Sequence, residues 1–316
     1  AVFRFDGSAR VDVTCPVELR GSEYIIVDFG AVTRAEAHFA VERTGTRACP
    51  RVRIGFCEAL EDWAPGGDHY HAVPGGAAQV PVVRTVTDPR AVISTPEHTY
   101  RYAVLTAARG TFRFTGAHAT STLRLAVPRK APYPGNFRCS SPVLTRVWYA
   151  GVNTLELCTG GTPTVFLDGS SRDRLIWTGD LFVEHLVAYI SNGDVETARE
   201  SLRTLAKGQE PCGYVPHCGR TLCDTRTRDP AGVLVGLLTF AEYAVWYVIC
   251  VWLHYWHTAD ATFVAEFEPV VERVMAWLCP KICAKGLMRV GPHDGQTWHV
   301  PECVMGCPTD LNCLMA

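Results

Sequence analysis

Two periodicities divide the chain. Up to about residue 130, apolar positions come in short, partly alternating runs: Glu23-Tyr-Ile-Ile-Val-Asp-Phe-Gly30, Glu36-Ala-His-Phe-Ala-Val-Glu42, Arg51-Val-Arg-Ile-Gly-Phe56, Gln79-Val-Pro-Val-Val-Arg84, Tyr100-Arg-Tyr-Ala-Val-Leu105 and Gly110-Thr-Phe-Arg-Phe114. Clusters of Gly, Pro and Asp punctuate these runs, a pattern that predicts an antiparallel β-sandwich. The proline-rich stretch Pro128-Arg-Lys-Ala-Pro-Tyr-Pro-Gly135 reads as a linker. From Ser140 onward the period becomes helical. Ser140-Ser-Pro supplies a cap and an early proline ahead of a helix from Val143, and further helices are predicted at about 178–191, 194–207, 231–257 and 260–283. Asp194 and Asp260 stand where N-terminal caps belong. Long helices with short connections and apolar inward faces suggest stacked helical hairpins.

Bulk properties narrow the function classes. The formal net charge of −2 gives no electrostatic case for nucleic acid or an anionic membrane. Gly232 to Trp256 is apolar enough to suggest a membrane span, but it contains Glu242 and His254. A helix buried in a helical layer explains it better. Fourteen cysteines are many for a cytosolic protein, yet no C-x-x-C pair or matched zinc spacing occurs, so no metal is expected. In an extracellular setting, Cys212, Cys218 and Cys223, or Cys303, Cys307 and Cys313, are candidates for disulfides; in the other reading most of the cysteines are small buried hydrophobes. No N-x-[ST] acceptor is present. The compartment stays open between secreted and cytoplasmic, with a lean to secreted. His69 and His71 alternate in a Gly/Pro-rich loop without a third ligand and read as surface residues.

The densest chemistry lies in Asp168-Gly-Ser-Ser-Arg-Asp-Arg-Leu-Ile-Trp-Thr-Gly-Asp180, with three aspartates, two arginines and a tryptophan in thirteen positions. On a continuous helix Asp173, Trp177, Asp180 and Glu184 fall at i, i+4, i+7 and i+11 and share one face. Crowded, partly buried carboxyls raise the pKa of at least one of them, as a general acid requires. Carboxyls beside a flat aromatic ring suit a sugar-processing site, where an acid protonates the glycosidic oxygen and ionised neighbours stabilise charge on the ring. Spacing alone leaves a second reading open: a solvated loop and helix cap with the arginines in surface ion pairs.

This stretch resembles the active-site signature of the bacterial and fungal α-L-rhamnosidases, inverting glycosidases with an (α/α)6 barrel. The resemblance extends along most of the chain, through Val27-Asp-Phe-Gly30, Asn136-Phe-Arg-Cys-Ser-Ser-Pro-Val-Leu-Thr-Arg-Val-Trp148, Thr154-Leu-Glu-Leu-Cys158, Gln209-Glu-Pro-Cys-Gly-Tyr-Val-Pro216 and Trp246 to Asp260, where Ala259 replaces the glycine of the family's T-G-D turn. It implies a β-sandwich over 1–130 and the N-terminal half of a barrel over 136–316. Asp173 matches the general acid, usually a glutamate. Asp168 and Asp180 match residues that hold sugar hydroxyls, Arg172 the arginine beside them, and Trp177 an aromatic of the sugar pocket. Trp298 matches a further stacking residue, and Glu302 lies where a Trp-flanked aspartate is frequent, although His299-Val-Pro-Glu302 departs from that pattern.

The expected reaction is inverting release of terminal α-L-rhamnose from glycosides or polysaccharides, without cofactor or metal. The family's general base lies far downstream of the acid, on a segment that this chain does not include. The expected partners are therefore a rhamnosylated carbohydrate, plus a missing C-terminal segment or another protein that completes the barrel. The alternative is a catalytically inactive, glycosidase-derived structural or carbohydrate-binding protein.

Overall fold

A computed structural model describes residues 1–6, 9–44, 49–60, 81–121, 123, 135–170, 174–219, 227–228, 234–235, 240–291 and 306–315. It contains two compact units, Ala1–Arg124 with Ser170–Asp173, and Leu125–Gly169 with Arg174–Ala316.

The first unit is built on one antiparallel sheet. Its strands are β1 (Val2–Asp6), β2 (Ala9–Asp12), β3 (Val17–Arg20), β4 (Tyr24–Arg43), β5 (Arg51–Cys57), β6 (Val82–Thr85), β7 (Arg90–Arg109) and β8 (Thr111–Thr120). They run in the order β2-β1-β4-β7-β5-β6, with β8 also on β4 and β3 on β8. Two strands are far longer than the sequence pattern predicts. The runs 23–30 and 36–42 are halves of the single strand β4, which pairs with β7 from Tyr24↔Thr106 to Glu42↔Arg90 and shifts register between Asp28 and Thr33. Gly30 makes that irregularity possible at φ +91°, its amide held by the Asp28 carboxylate at 2.8 Å.

Alternation along β4 feeds two cores. Ile25 and Val27 join Phe39, Phe56, Tyr100, Leu105, Phe112 and Phe114, whereas Ile26 packs with Phe3, Tyr102 and Val104. Both faces of the sheet centre are therefore apolar. Burial pushes the Asp28 carboxyl up, but its two-pronged pair with Arg101 (3.0 and 3.2 Å) and the Gly30 amide outweigh this and hold it below its usual range.

The second unit is mainly helical. It contains α1 (Pro142–Leu157), the short strands β9 (Thr159–Gly160) and β10 (Val165–Phe166), α2 (Thr178–Ile190), α3 (Val195–Ala206), the pair β11 (Thr227–Arg228) and β12 (Leu234–Val235), α4 (Ala241–Thr258), α5 (Ala261–Leu278) and α6 (Thr309–Met315). The caps lie where the sequence places them. Ser141 accepts from the Leu144 amide with Pro142 behind it, Asp194 accepts from Thr197 at 3.0 Å, and Asp260 accepts from Thr262 and Phe263 at 2.8 and 3.1 Å. The helix predicted from 231 begins instead at Ala241, because Leu234–Val235 is drawn into an extended pair with Thr227–Arg228. Among the described residues no helix is long and apolar enough to cross a membrane.

Leu181, Ala188, Leu202, Tyr247, Cys250, Phe263, Phe267 and Val274 form the helical core. Arg203 grips Glu266 at 2.6 and 3.0 Å, tying α3 to α5. A polar chain also crosses this core, where the Tyr189 hydroxyl lies 2.9 Å from Nδ1 of His254 and 3.4 Å from Nδ1 of His185. Trp252 and Trp256 lie tilted against each other at 5.4 Å on α4 while 54% and 70% exposed, and Val143, Leu144 and Val147 on α1 are exposed as well.

Candidate active site

The site grows from the end of β10. The Phe166 amide donates to Ser201 Oγ at 2.9 Å, which fixes β10 against α3. Two residues later the Asp168 amide donates to the Leu175 carbonyl at 2.9 Å, and the Leu175 amide returns a hydrogen bond to Asp168 Oδ1 at 3.0 Å. This reciprocal clasp ties Asp168 to Leu175. Arg174 sits in the left-handed region at φ +55°.

Residues 176–178 then pair with 217–219. Gly219 donates to the Ile176 carbonyl at 2.7 Å, Trp177 bridges Cys218, and the Thr178 amide and hydroxyl both donate to the His217 carbonyl, at 3.0 and 2.9 Å. Trp177 is consequently an extended N-cap, and α2 starts only at Thr178. The expectation of one helical face running from Asp173 to Glu184 is corrected by this: pairing with 217–219 holds the backbone extended up to Trp177, so only Asp180 and Glu184 share the helix. Asp180 occupies the first turn of α2, where the exposed amides favour an anion.

Trp177 is only 7% exposed. His217 tilts against it at 5.4 Å and Tyr243 meets it edge-on at 6.0 Å, with Phe240 behind His217 at 4.5 Å. The Tyr214 hydroxyl, 3.0 Å from His217 Nδ1, also accepts the Phe240 amide at 3.2 Å, holding that wall in place. Gly179 permits it: a Cβ there would meet the Tyr243 ring at 3.2 Å.

Electrostatics single out Glu184. Burial, then the negative charges of Asp180 and Asp168, push its carboxyl well above the ordinary glutamate range. Its Oε2 is sealed from solvent without a hydrogen-bond partner among the described residues. Tyr243 is raised by burial and then by Asp180 and Glu242, which puts its hydroxyl in the same negative field. Asp180 thus acts electrostatically on both Glu184 and Tyr243, and Asp168 on Glu184.

Of the residues proposed from sequence, Asp168, Trp177 and Asp180 are brought together here. Asp173, Arg172, Trp298 and Glu302 lie outside the described residues, as do His69, His71, Cys223 and Cys303. His217, Tyr243 and Phe240 were not anticipated, because they reach Trp177 only through tertiary pairing. Glu184 was legible from its i+4 spacing to Asp180. Cys218 is fully buried behind Trp177, and Cys212 is exposed. Among the described residues no three His, Cys, Asp or Glu side chains gather as a metal site.

Comparison with known proteins gives a consistent picture. Residues 132–299 match the bacterial alpha-L-rhamnosidase 6 hairpin glycosidase domain. A rhamnosidase from Klebsiella oxytoca with rhamnose bound superposes with a TM-score of 0.71 at 20% identity, over 90% of this chain and 55% of that one. The GH78 family rhamnosidase of Bacillus sp. GL1 gives 0.69 at 18% identity, over 96% of this chain and 30% of that one. The α-L-rhamnosidase of Dictyoglomus thermophilum gives 0.56 at 15% identity, over 84% and 28%. This chain therefore spans about half or less of the length of each. No curated protein matches it.

Proposed function

Because this chain belongs to the bacterial α-L-rhamnosidase six-hairpin glycosidase family, we propose that it carries the acid side of a site that hydrolyses terminal α-L-rhamnosides. Residues 1–130 would be the β-sandwich that precedes the catalytic domain, and 136–316 the N-terminal half of an (α/α)6 barrel. The exposed apolar residues Trp252, Trp256, Val143 and Val147 support an unfinished helical layer, since apolar surface of this extent is normally covered.

The observation that carries the proposal is the negative field that Asp180 and Asp168 exert on buried Glu184, on the helix that Trp177 caps beside an aromatic wall. In this reading Asp173 protonates the leaving oxygen. Asp168, Arg172 and Asp180 hold sugar hydroxyls, while Trp177, Trp298 and Glu302 complete the pocket. Glu184, whose carboxyl is pushed well above the ordinary glutamate range by burial and these charges, lies one helical turn after Asp180. Inversion also needs a base across the ring, with the carboxyls about 6.5–9.5 Å apart. We assign that base to a segment or partner outside these 316 residues.

The test is release of p-nitrophenol from p-nitrophenyl α-L-rhamnoside by the 316-residue chain, with and without azide as a small nucleophile that needs no base. Release that depends on azide and is lost in Asp180→Asn is the expected result. No release under either condition, from a folded protein that also fails to bind rhamnose, would overturn the proposal.

A further inference from the structure

The open face of the sheet carries a histidine pair that the proposed chemistry does not use. Along β4 the side chains of Ala35, Ala37, Phe39 and Val41 turn into the core, so His38 points to the opposite face. The strand register sets His38 directly across from His118 on β8 and from Ser94 on β7, with Glu36 across from Thr120. A row of Ser94, His38 and His118 thus crosses three neighbouring strands.

The two rings are already together. His38 and His118 stack with centroids 4.6 Å apart and planes 21° from parallel. His38 is fixed at both nitrogens, with Nδ1 2.9 Å from Ser94 Oγ and Nε2 3.2 Å from Thr120 Oγ1. When Nδ1 donates to Ser94, Nε2 turns its lone pair to the Thr120 hydroxyl. His118 is exposed and makes no hydrogen bond among the described residues. Two imidazole nitrogens on one ion, at about 2.0–2.1 Å each, stand no more than about 4.2 Å apart. Rings stacked at 4.6 Å reach that separation by a small rotation of His118. Glu36 shares this face and adds a negative charge, whereas Arg34, next along it, is paired with Glu97 at 3.2 Å.

We propose that His38 and His118 form a surface site for a divalent transition-metal ion of the class that imidazole suits, such as nickel, zinc or copper. The ion takes the place of the Thr120 proton at His38 Nε2 and binds one ring nitrogen of His118. Water completes the coordination, since no third His, Cys, Asp or Glu joins the pair among the described residues. Ser94 acts from the far side of His38: by accepting from Nδ1 it holds the tautomer whose Nε2 can coordinate. All of these residues lie on strands of the first unit. The inference stands on sheet register and ring geometry and is independent of the rhamnosidase reading.

The experiment is calorimetric titration of Ni2+ into the full chain, with its accessible thiols alkylated beforehand so that they do not compete. The expected result is a saturable one-to-one isotherm that His38→Ala and His118→Ala each weaken by about tenfold or more, and Ser94→Ala by about tenfold. A second readout needs no substitution: Ni2+ should protect His38 and His118 together from diethylpyrocarbonate, as mapped by mass spectrometry on the unsubstituted chain. No saturable heat, binding that survives both histidine substitutions, or protection confined to other histidines would overturn it.

Discussion

Glu184 lies one helical turn after Asp180 on α2, and its Oε2 is closed off from solvent while Asp180 stays exposed. The two carboxyls share a face but not an environment. Burial, then the charges of Asp180 and Asp168, push the Glu184 carboxyl well above the ordinary glutamate range.

A raised glutamate pKa makes the native state bind more protons than the unfolded chain above pH ~4.3. Stability from this group is therefore greatest at low pH and falls as pH rises from there towards the native value. Glu184→Gln should flatten that decline, so the variant gains most over the parent at pH 7–8 and least near pH 4. Urea unfolding at both pH values checks this; an equal shift at both would contradict it.

The buried histidines act in the opposite direction. Burial first, then the mutual repulsion of the pair, lowers His185 to about 3, and burial followed by Arg199 lowers His254 to about 4. Both are neutral in the native state and protonate near pH 6.5 once unfolded. Their stability is complete above that value and drains away as pH falls towards 4. Between pH 7 and 5 the loss from the pair should be about 3–4 kcal/mol. His254→Asn should remove about half of that slope, as read from chemical denaturation across the range.

Two glycines are set by close contacts of different severity. A Cβ at Gly213 would stand 2.1 Å from the Arg273 carbonyl, at φ +99°, whereas at Gly179 it meets the Tyr243 ring at 3.2 Å. Gly213→Ala should cost about 3 kcal/mol or more and Gly179→Ala about 1–2 kcal/mol. Thermal denaturation should rank them in that order.

Ala259 ends α4 in the left-handed region at φ +52°. An L side chain there costs about 1–2 kcal/mol, partly offset by its smaller unfolded-state entropy. Ala259→Gly should stabilise the protein by about 0.5–1 kcal/mol, visible as a rise in Tm. A fall in Tm would contradict the assignment.

Trp252 and Trp256 face outward from α4. Replacing Trp256 with Gln should change stability by less than about 0.5 kcal/mol. It should also reduce self-association on gel filtration, since an exposed apolar patch is removed.

The local chemistry of this fold was readable from sequence, because its signals are short-range. The caps at Ser141, Asp194 and Asp260 depend on amides two or three residues away. The strand runs of β4 depend on alternation between neighbours, although not their fusion across Gly30, which only pairing with β7 enforces. What could not be read were effects of distant pairing. Residues 217–219 keep Trp177 extended, and Thr227–Arg228 draws in the start of an apolar run that looks helical throughout. His217 and Tyr243 reach the site by the same route, and no spacing within 168–180 announces them.

The most direct test of the central claim is calorimetric titration of L-rhamnose into the 316-residue chain and into its Asp180→Asn and Asp168→Asn variants. A saturable, one-to-one isotherm that each substitution weakens by about tenfold or more, as expected for losing a charged hydrogen bond, is the predicted result. A folded parent protein that gives no saturable heat, or variants that bind as well as the parent, would contradict the assignment of this carboxyl cluster to a sugar site.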